Sequence, residues 1–221
     1  MLKLIIGNKN YSSWSLRPWI LLKYFQIPFK EILIPLYQGD YKKQILKYSP
    51  NGKVPALIHD KTVIWESICQ YVSDLYPQKN MWPQKLQDRA EAYSISQEMH
   101  AGFTKLRTHM LCNIRGRYPG KGMTLEVQND INRIITIWDK SLKKYKKQGP
   151  FLFGQFTIAD AMYLPVVTRF RTYEVKLKGS SKDYVKTILE LPAFKEWEEA
   201  GIKEKWVIER SEIYNPKYHK Q

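Results

Sequence analysis

The opening of the chain alternates short apolar runs with helix-like periods. Leu2–Ile6 is an unbroken apolar run and reads as a buried strand. Residues 19–25 read as helix, and 30–36, bounded by Pro28 and Pro35, as a second strand. A short helix fits 41–48. Two β-rich runs, 54–58 and 62–65, flank His59-Asp60-Lys61 and predict a hairpin. Ile68, Tyr71, Val72 and Leu75 then recur at i, i+3, i+4 and i+7, the spacing of a helix face. The predicted order is strand, helix, strand, helix, hairpin, helix.

Beyond Tyr76-Pro77 the pattern changes. Pro77, Asn80 and Pro83 interrupt any period, so this stretch reads as a linker. Almost everything after it is helical. Met99, Phe103, Leu106 and Met110 fall on one helix face. Ile131, Ile134, Ile135, Trp138, Leu142 and Tyr145 form the cleanest stripe in the chain. Thr157-Ile-Ala-Asp160 resembles a capping box, with Asp in place of the usual Glu, and opens a helix through about Arg171 that Pro165 should kink or interrupt. A last helix starts near Pro192, since proline suits a first turn. The tail after Trp206 reads as loop. The pattern divides the chain into an α/β domain at 1–77, a linker at 78–87 and an all-helical domain at 88–221.

Composition narrows the function classes. The 221 residues are 43% hydrophobic and 26% charged, ordinary for a globular protein and against disorder. The run at 2–6 is too short for a signal-peptide core and nothing approaches a membrane span, so the cytosol is expected. Cys69 and Cys112, the only cysteines, form no CxxC pair and read as small core residues; no metal site is expected. The net charge of +15 raises the question of nucleic acid, but the basic residues are dispersed. The densest cluster, 140–147, lies on one amphipathic helix and reads as a solvated face, so no specific nucleic-acid partner is expected.

Three segments carry candidate chemistry. Asn10-Tyr-Ser-Ser-Trp-Ser-Leu-Arg-Pro-Trp19 follows the first strand and opens the first helix. Pro18 belongs in a first turn, which puts the N-cap near Ser15 and leaves Ser12 and Ser13 in the loop ahead. A hydroxyl there, beside unpaired N–H groups and the positive end of the helix dipole, suits an anion. Pro55 starts a strand, where it marks an edge or a cis bond and leaves the peptide groups of Val54 free for a peptide-like ligand. Ser67, after Glu66, can cap the helix that follows and hold a carboxylate at its amino end. Taken singly, each segment reads better as ordinary capping or as a strand-edge proline.

Together, in this order, they resemble the glutathione transferase family. The motifs are Ser12-Ser13-Trp14-Ser15-Leu16-Arg17, then Val54-Pro55, then Glu66-Ser67, with Phe156-Thr157-Ile158-Ala159-Asp160 matching the family's capping box. The resemblance covers nearly the whole chain. It implies a thioredoxin-like amino-terminal domain followed by an all-α domain, and a cytosolic homodimer that uses glutathione as substrate in detoxification. The amino-terminal motif is most similar to the serine-type classes, especially zeta, in which a serine hydroxyl stabilises the glutathione thiolate. Ser13 carries the spacing to Arg17 and is the first candidate; Ser12 matches the first zeta serine. Zeta members have cysteine where this chain has Trp14, which weakens the alternative of a zeta-type isomerase. A non-catalytic transferase-like binding protein is the other alternative.

By the same resemblance, Val54 pairs with the cysteinyl residue of glutathione, Pro55 is the cis-proline, Glu66 and Ser67 receive the γ-glutamyl end, and Lys53 faces the glycyl carboxylate. Tyr11, Trp14, His100, Phe103 and Arg107 are candidates to line the electrophile pocket, Phe103 and His100 having plainer readings as core and surface residues. His109, Arg169 and Arg171 are expected at the surface.

Overall fold

The computed structural model describes residues 1–218. Strand β1 (Leu2–Ile6) leads through helix α1 (Ser13–Tyr24) to β2 (Phe29–Leu33), which lies parallel to β1 with Leu4 opposite Glu31. Helix α2 (Tyr41–Leu46) follows. Then β3 (Ala56–His59) runs antiparallel to β1, Ile5 opposite Ala56, and turns through Asp60 and Lys61 into β4 (Thr62–Ile64). Asp60 takes the positive φ that such a tight turn demands. The sheet order is β2-β1-β3-β4, and α3 (Ile68–Leu75) closes the unit. This is the expected α/β order, with β1 where it was predicted and the bounds of the other strands shifted by up to three residues.

The remainder is helical: α4 (Leu86–Ala101), α5 (Thr104–His109), α6 (Leu125–Tyr145), α7 (Ile158–Thr172), α8 (Gly179–Glu190) and α9 (Pro192–Lys203). A 3-10 turn at Pro77–Lys79 and an irregular stretch join the halves, where Met81 accepts a hydrogen bond from the Ile158 N–H. One apolar core runs through both halves, from Leu4 and Trp19 to Trp138 and Trp197; a smaller cluster of Ile5, Ile34, Ile45 and Ala56 lies apart from it. Helix α1 is buried on nearly all faces because it packs on α3, α7 and α9. Trp19 and Trp197 meet edge to face at 5.1 Å.

Several expectations need correction. The first helix begins at Ser13, so Pro18 sits inside it and Ser12 is the N-cap. Ser12 Oγ accepts from the Ser15 N–H at 3.3 Å, while Ser15 Oγ accepts from the Gly7 N–H at 3.0 Å and so ties the helix to the end of β1. Proline costs a backbone bond there, yet burial of Leu16, Trp19, Ile20 and Leu21 holds the helix together around it. Helix α7 likewise continues through Pro165.

The expected single face of Met99, Phe103, Leu106 and Met110 is split. Gly102 ends α4 and Phe103 adopts a left-handed backbone, φ 55°. Arg107 stabilises the break by donating to the carbonyls of His100 (3.1 Å) and Ala101 (3.4 Å), which α4 leaves unpaired. All four apolar side chains are still buried. Helix α8, a charged segment between two clearer signals, lies in a stretch read as helical in general but with no individual helix delimited.

The tail is irregular apart from a 3-10 turn at Glu209–Ser211, but it is laced to the amino-terminal half. Glu204 accepts from the N–H groups of Lys9 and Asn10 at 2.6 and 3.1 Å, and Arg115 donates to the carbonyls of Glu204 and Trp206.

Candidate functional site

A cleft of about 690 Å³ lies between the two halves. Three backbone features border it. The first is the amino end of α1, which contributes Trp14, Arg17 and Pro18. Pro18 has no N–H, so the Trp14 carbonyl lacks its intrahelical donor at this wall. The second is Val54-Pro55. The peptide bond is cis, as expected. The ladder to β1 begins only at Ala56, so the Val54 peptide groups stand outside it. The third is the turn into α3. Glu66 holds a left-handed backbone, φ 59°, uncommon for a residue with a side chain. That turn presents the start of α3, from Ser67 to Gln70, to the cleft. The first helical N–H groups there have no intrahelical partner. Ser67 is the N-cap residue, but its side chain makes no capping bond.

Lys53 and Glu66 line the same cleft. Lys53 is exposed, with its main-chain N–H on Asn51 Oδ1 at 3.0 Å. Across from Glu66, His100 Nε2 lies 3.7 Å from Glu66 Oε2 and bridges the two halves. Cys69 also borders the cleft; burial pushes its thiol up to about 12, with Arg17 opposing, so it is an inert wall residue. Cys112 is buried against Thr168.

The other candidates divide. Trp14, 36% exposed, forms a wall, with Arg17 stacked over its ring at 4.1 Å and His100 edge-on at 5.1 Å. Arg107 also lines the cleft, its guanidinium carbon 5.6 Å from the centre of the same ring. Tyr11 is turned away: its hydroxyl donates to Glu212 Oε1 at 2.5 Å, and burial is the first cause that raises its pKa. Phe103 is core, by the break after α4. Ser12 is half-buried at the cap, its Oγ 2.7 Å from Ser15 Oγ. Ser13, 8% exposed, accepts from Arg169 Nη2 at 3.4 Å.

Arg169 is buried and Arg171 is partly buried, where both were expected at the surface. Arg169 is buried on the carbonyls of Met110 and Pro165, and Arg171 pairs with Glu198 at 2.5 Å. The cationic cluster at 140–147 is partly neutralised, because Lys140 and Lys144 pair with Asp88 and Glu91 of α4. Sequence reasoning did not place Arg17 in the cleft. The available signal was a basic residue on the stripe Arg17, Ile20, Leu21, Tyr24 of an otherwise apolar helix. Tyr93, Ser96, Gln97 and Met162, also on the wall, carried no signal at all.

Comparison with known proteins matches both halves. A family model described as the glutathione S-transferase N-terminal domain matches residues 11–75, and one described as the C-terminal domain matches residues 95–200. Glutathione S-transferase L3 of Arabidopsis thaliana is 25% identical over 162 residues, 71% of this chain and 62% of that protein. The chloroplastic glutathione S-transferase L2 of the same plant is 28% identical over 164 residues, 70% of this chain and 49% of that one. The chain thus spans less than two thirds of the length of either relative. In fold it is similar to a glutathione transferase homolog from Burkholderia solved with bound glutathione: TM-score 0.67 at 20% identity, over 90% of this chain and 97% of that one.

Proposed function

The chain belongs to the glutathione transferase family, and from that premise we propose that it binds glutathione in this cleft and activates the thiol for transfer to a small electrophile. The carrying observation is that the Val54 peptide groups, the open start of α3 and the amino end of α1 border one cleft. The cysteinyl backbone of glutathione pairs with Val54. The γ-glutamyl carboxylate lies at the α3 amino end by Ser67, its ammonium by Glu66, and the glycyl carboxylate by Lys53. The thiol then reaches the amino end of α1.

Of the two serine candidates, burial favours Ser12. Ser13 is packed away under Arg169, whereas Ser12 keeps an exposed edge. In this structure the Ser12 hydroxyl donates to Ser15 Oγ at 2.7 Å. Hydroxyl protons rotate, so a thiolate can take that proton once Ser15 turns to donate to Ser12 instead. In the transfer, the sulfur–carbon bond forms as the leaving group departs with its bonding pair, and the thiol proton goes to solvent. Assembly as a cytosolic homodimer belongs to the same reading and rests on the family. Among the described residues no helix is long and apolar enough to cross a membrane.

Calorimetry tests the reading directly. Glutathione at millimolar concentration should give saturable heat, and Ser67→Ala should weaken it several-fold; no binding in that range would overturn the proposal. Nucleic-acid binding should be weak, indifferent to sequence and steeply reduced by salt, because dispersed cations act only through counterion release. Tight, sequence-selective binding at physiological salt would overturn that part.

A further inference from the structure

Three guanidinium groups cluster behind and beside Trp14, and every hydrogen-bond partner they have among the described residues is neutral. Arg17 Nε donates to the Met162 carbonyl. Arg107 donates to the carbonyls of His100 and Ala101. Arg169 donates to two carbonyls and to Ser13 Oγ. No carboxylate of the described residues forms an ion pair with any of the three. Arg107 feels the Asp130 carboxylate but forms no ion pair with it; Asp130 Oδ2 accepts from the Leu106 N–H.

Buried charge without a counter-charge is costly. Arg17 is 3% exposed, and its Nη1 has no hydrogen-bond partner. Burial lowers its pKa most, and Arg169 and Arg107 lower it further, to about 9. The guanidinium stays charged at neutral pH and is repelled by its two neighbours. Arg17 and Arg107 both border the cleft, their guanidinium carbons 4.1 and 5.6 Å from the centre of the exposed Trp14 ring. They flank Trp14, whereas the glutathione peptide is assigned above to Val54, Lys53 and the start of α3.

We propose that the second substrate of this cleft is an anion, an aryl or unsaturated carboxylate whose ring or chain lies on Trp14 and whose charge is met by Arg17 and Arg107. The inference rests on the transferase reading for which compartment is left to the second substrate, but the arginine cluster stands without it. A planar guanidinium matches a carboxylate with two parallel N–H groups, and the apolar surface of Trp14 and Met162 accepts the carbon skeleton. The general positive field of the surface would also attract anions, so the test must separate field from site.

The probe pair is 3-nitrobenzoate and its methyl ester, equal in ring and different in charge. Their affinities are measured by calorimetry on the protein with and without S-methylglutathione. The acid should bind at least tenfold more tightly than the ester. Arg107→Gln should reduce that ratio to within about twofold, Arg107→Lys should restore much of it, and Lys147→Gln, an exposed charge in the turn just past α6, should leave it unchanged. Equal affinities in the unaltered protein would overturn the inference. So would a loss in Lys147→Gln as large as in Arg107→Gln, which would assign the preference to the surface field. Failure of S-methylglutathione to bind would count against the transferase reading alone, because the acid–ester ratio is still read on the free protein.

Discussion

Asp160→Ala should cost the fold about 3–5 kcal/mol, the range for breaking a buried charged network from one side. The carboxylate is fully enclosed at the start of α7. Oδ2 accepts from the N–H and hydroxyl of Thr157 at 2.8 and 3.0 Å, and Oδ1 from the Leu152 N–H and the Tyr184 hydroxyl at 3.0 and 3.1 Å. Alanine would leave donors from three segments buried and unpaired, each a loss of about 1–3 kcal/mol if nothing relaxes. Those segments are the 151–155 turn, the α7 amino end and α8, and α7 in turn carries the Met162 carbonyl and Arg169. The damage should therefore reach the cleft. Denaturant midpoints at unchanged slope measure the loss; a change under 1 kcal/mol would show that the network is dispensable.

The same residue sets a pH signature. Burial raises its pKa to about 6, although its four hydrogen bonds pull the other way. An unfolded Asp titrates near 3.9. Between roughly 4 and 6 the folded state therefore holds more protons than the unfolded one, and stability falls as pH rises through that window. The contribution is present below pH 4 and lost above 6. Asp160→Asn, which cannot titrate, should lack that slope while retaining part of the hydrogen bonding. A slope unchanged in Asp160→Asn would place the titration elsewhere.

What the sequence revealed follows from which forces are local. The strand order, the hairpin and the stripe from Ile131 to Tyr145 were legible because burial repeats at fixed periods. The capping box was legible because Thr157 and Asp160 are three residues apart. The start of α1 was not. A propensity rule places Pro18 in a first turn, but helices packed on several sides of α1 override it, and no local signal reports that packing. The break at Gly102 was missed because Phe103 keeps the apolar spacing while its backbone reverses hand. Arg169 looked exposed because its partners, Met110 and Ser13, are far away in sequence. Tyr11 looked like a wall of the pocket because its true partner, Glu212, lies in a tail without periodicity. Two backbone features of the cleft, the cis Val54-Pro55 bond and the start of α3, were legible; the arginine wall, built by tertiary contact, was not.

Ser12→Ala should slow turnover about ten- to a hundredfold. A free thiol titrates near 8.5, so little of it is thiolate at neutral pH. One hydrogen bond to a charged acceptor is worth roughly 1.5–3 kcal/mol, and each pKa unit corresponds to about 1.4 kcal/mol, so a single hydroxyl lowers the thiol by about one to two units. The helix dipole acts in the same direction and survives the substitution. Ser12 is also the N-cap, so its loss should cost about 1 kcal/mol of stability as well. The two effects separate by titrating the thiolate absorbance of bound glutathione against pH, which reads the site and not the fold. Ser15→Ala unties the Gly7 N–H and removes the hydroxyl partner of Ser12, so it should lower stability and move the midpoint less than Ser12→Ala does. Tyr11 is no rival, because its proton is committed to Glu212. Ser13 is the rival that its spacing to Arg17 suggests. Its alanine variant should leave the midpoint in place, since its hydroxyl is buried under Arg169. A midpoint that rises for Ser13→Ala and stays for Ser12→Ala would transfer the role to Ser13. A midpoint that stays for both would leave the thiolate to the N–H groups of α1 alone.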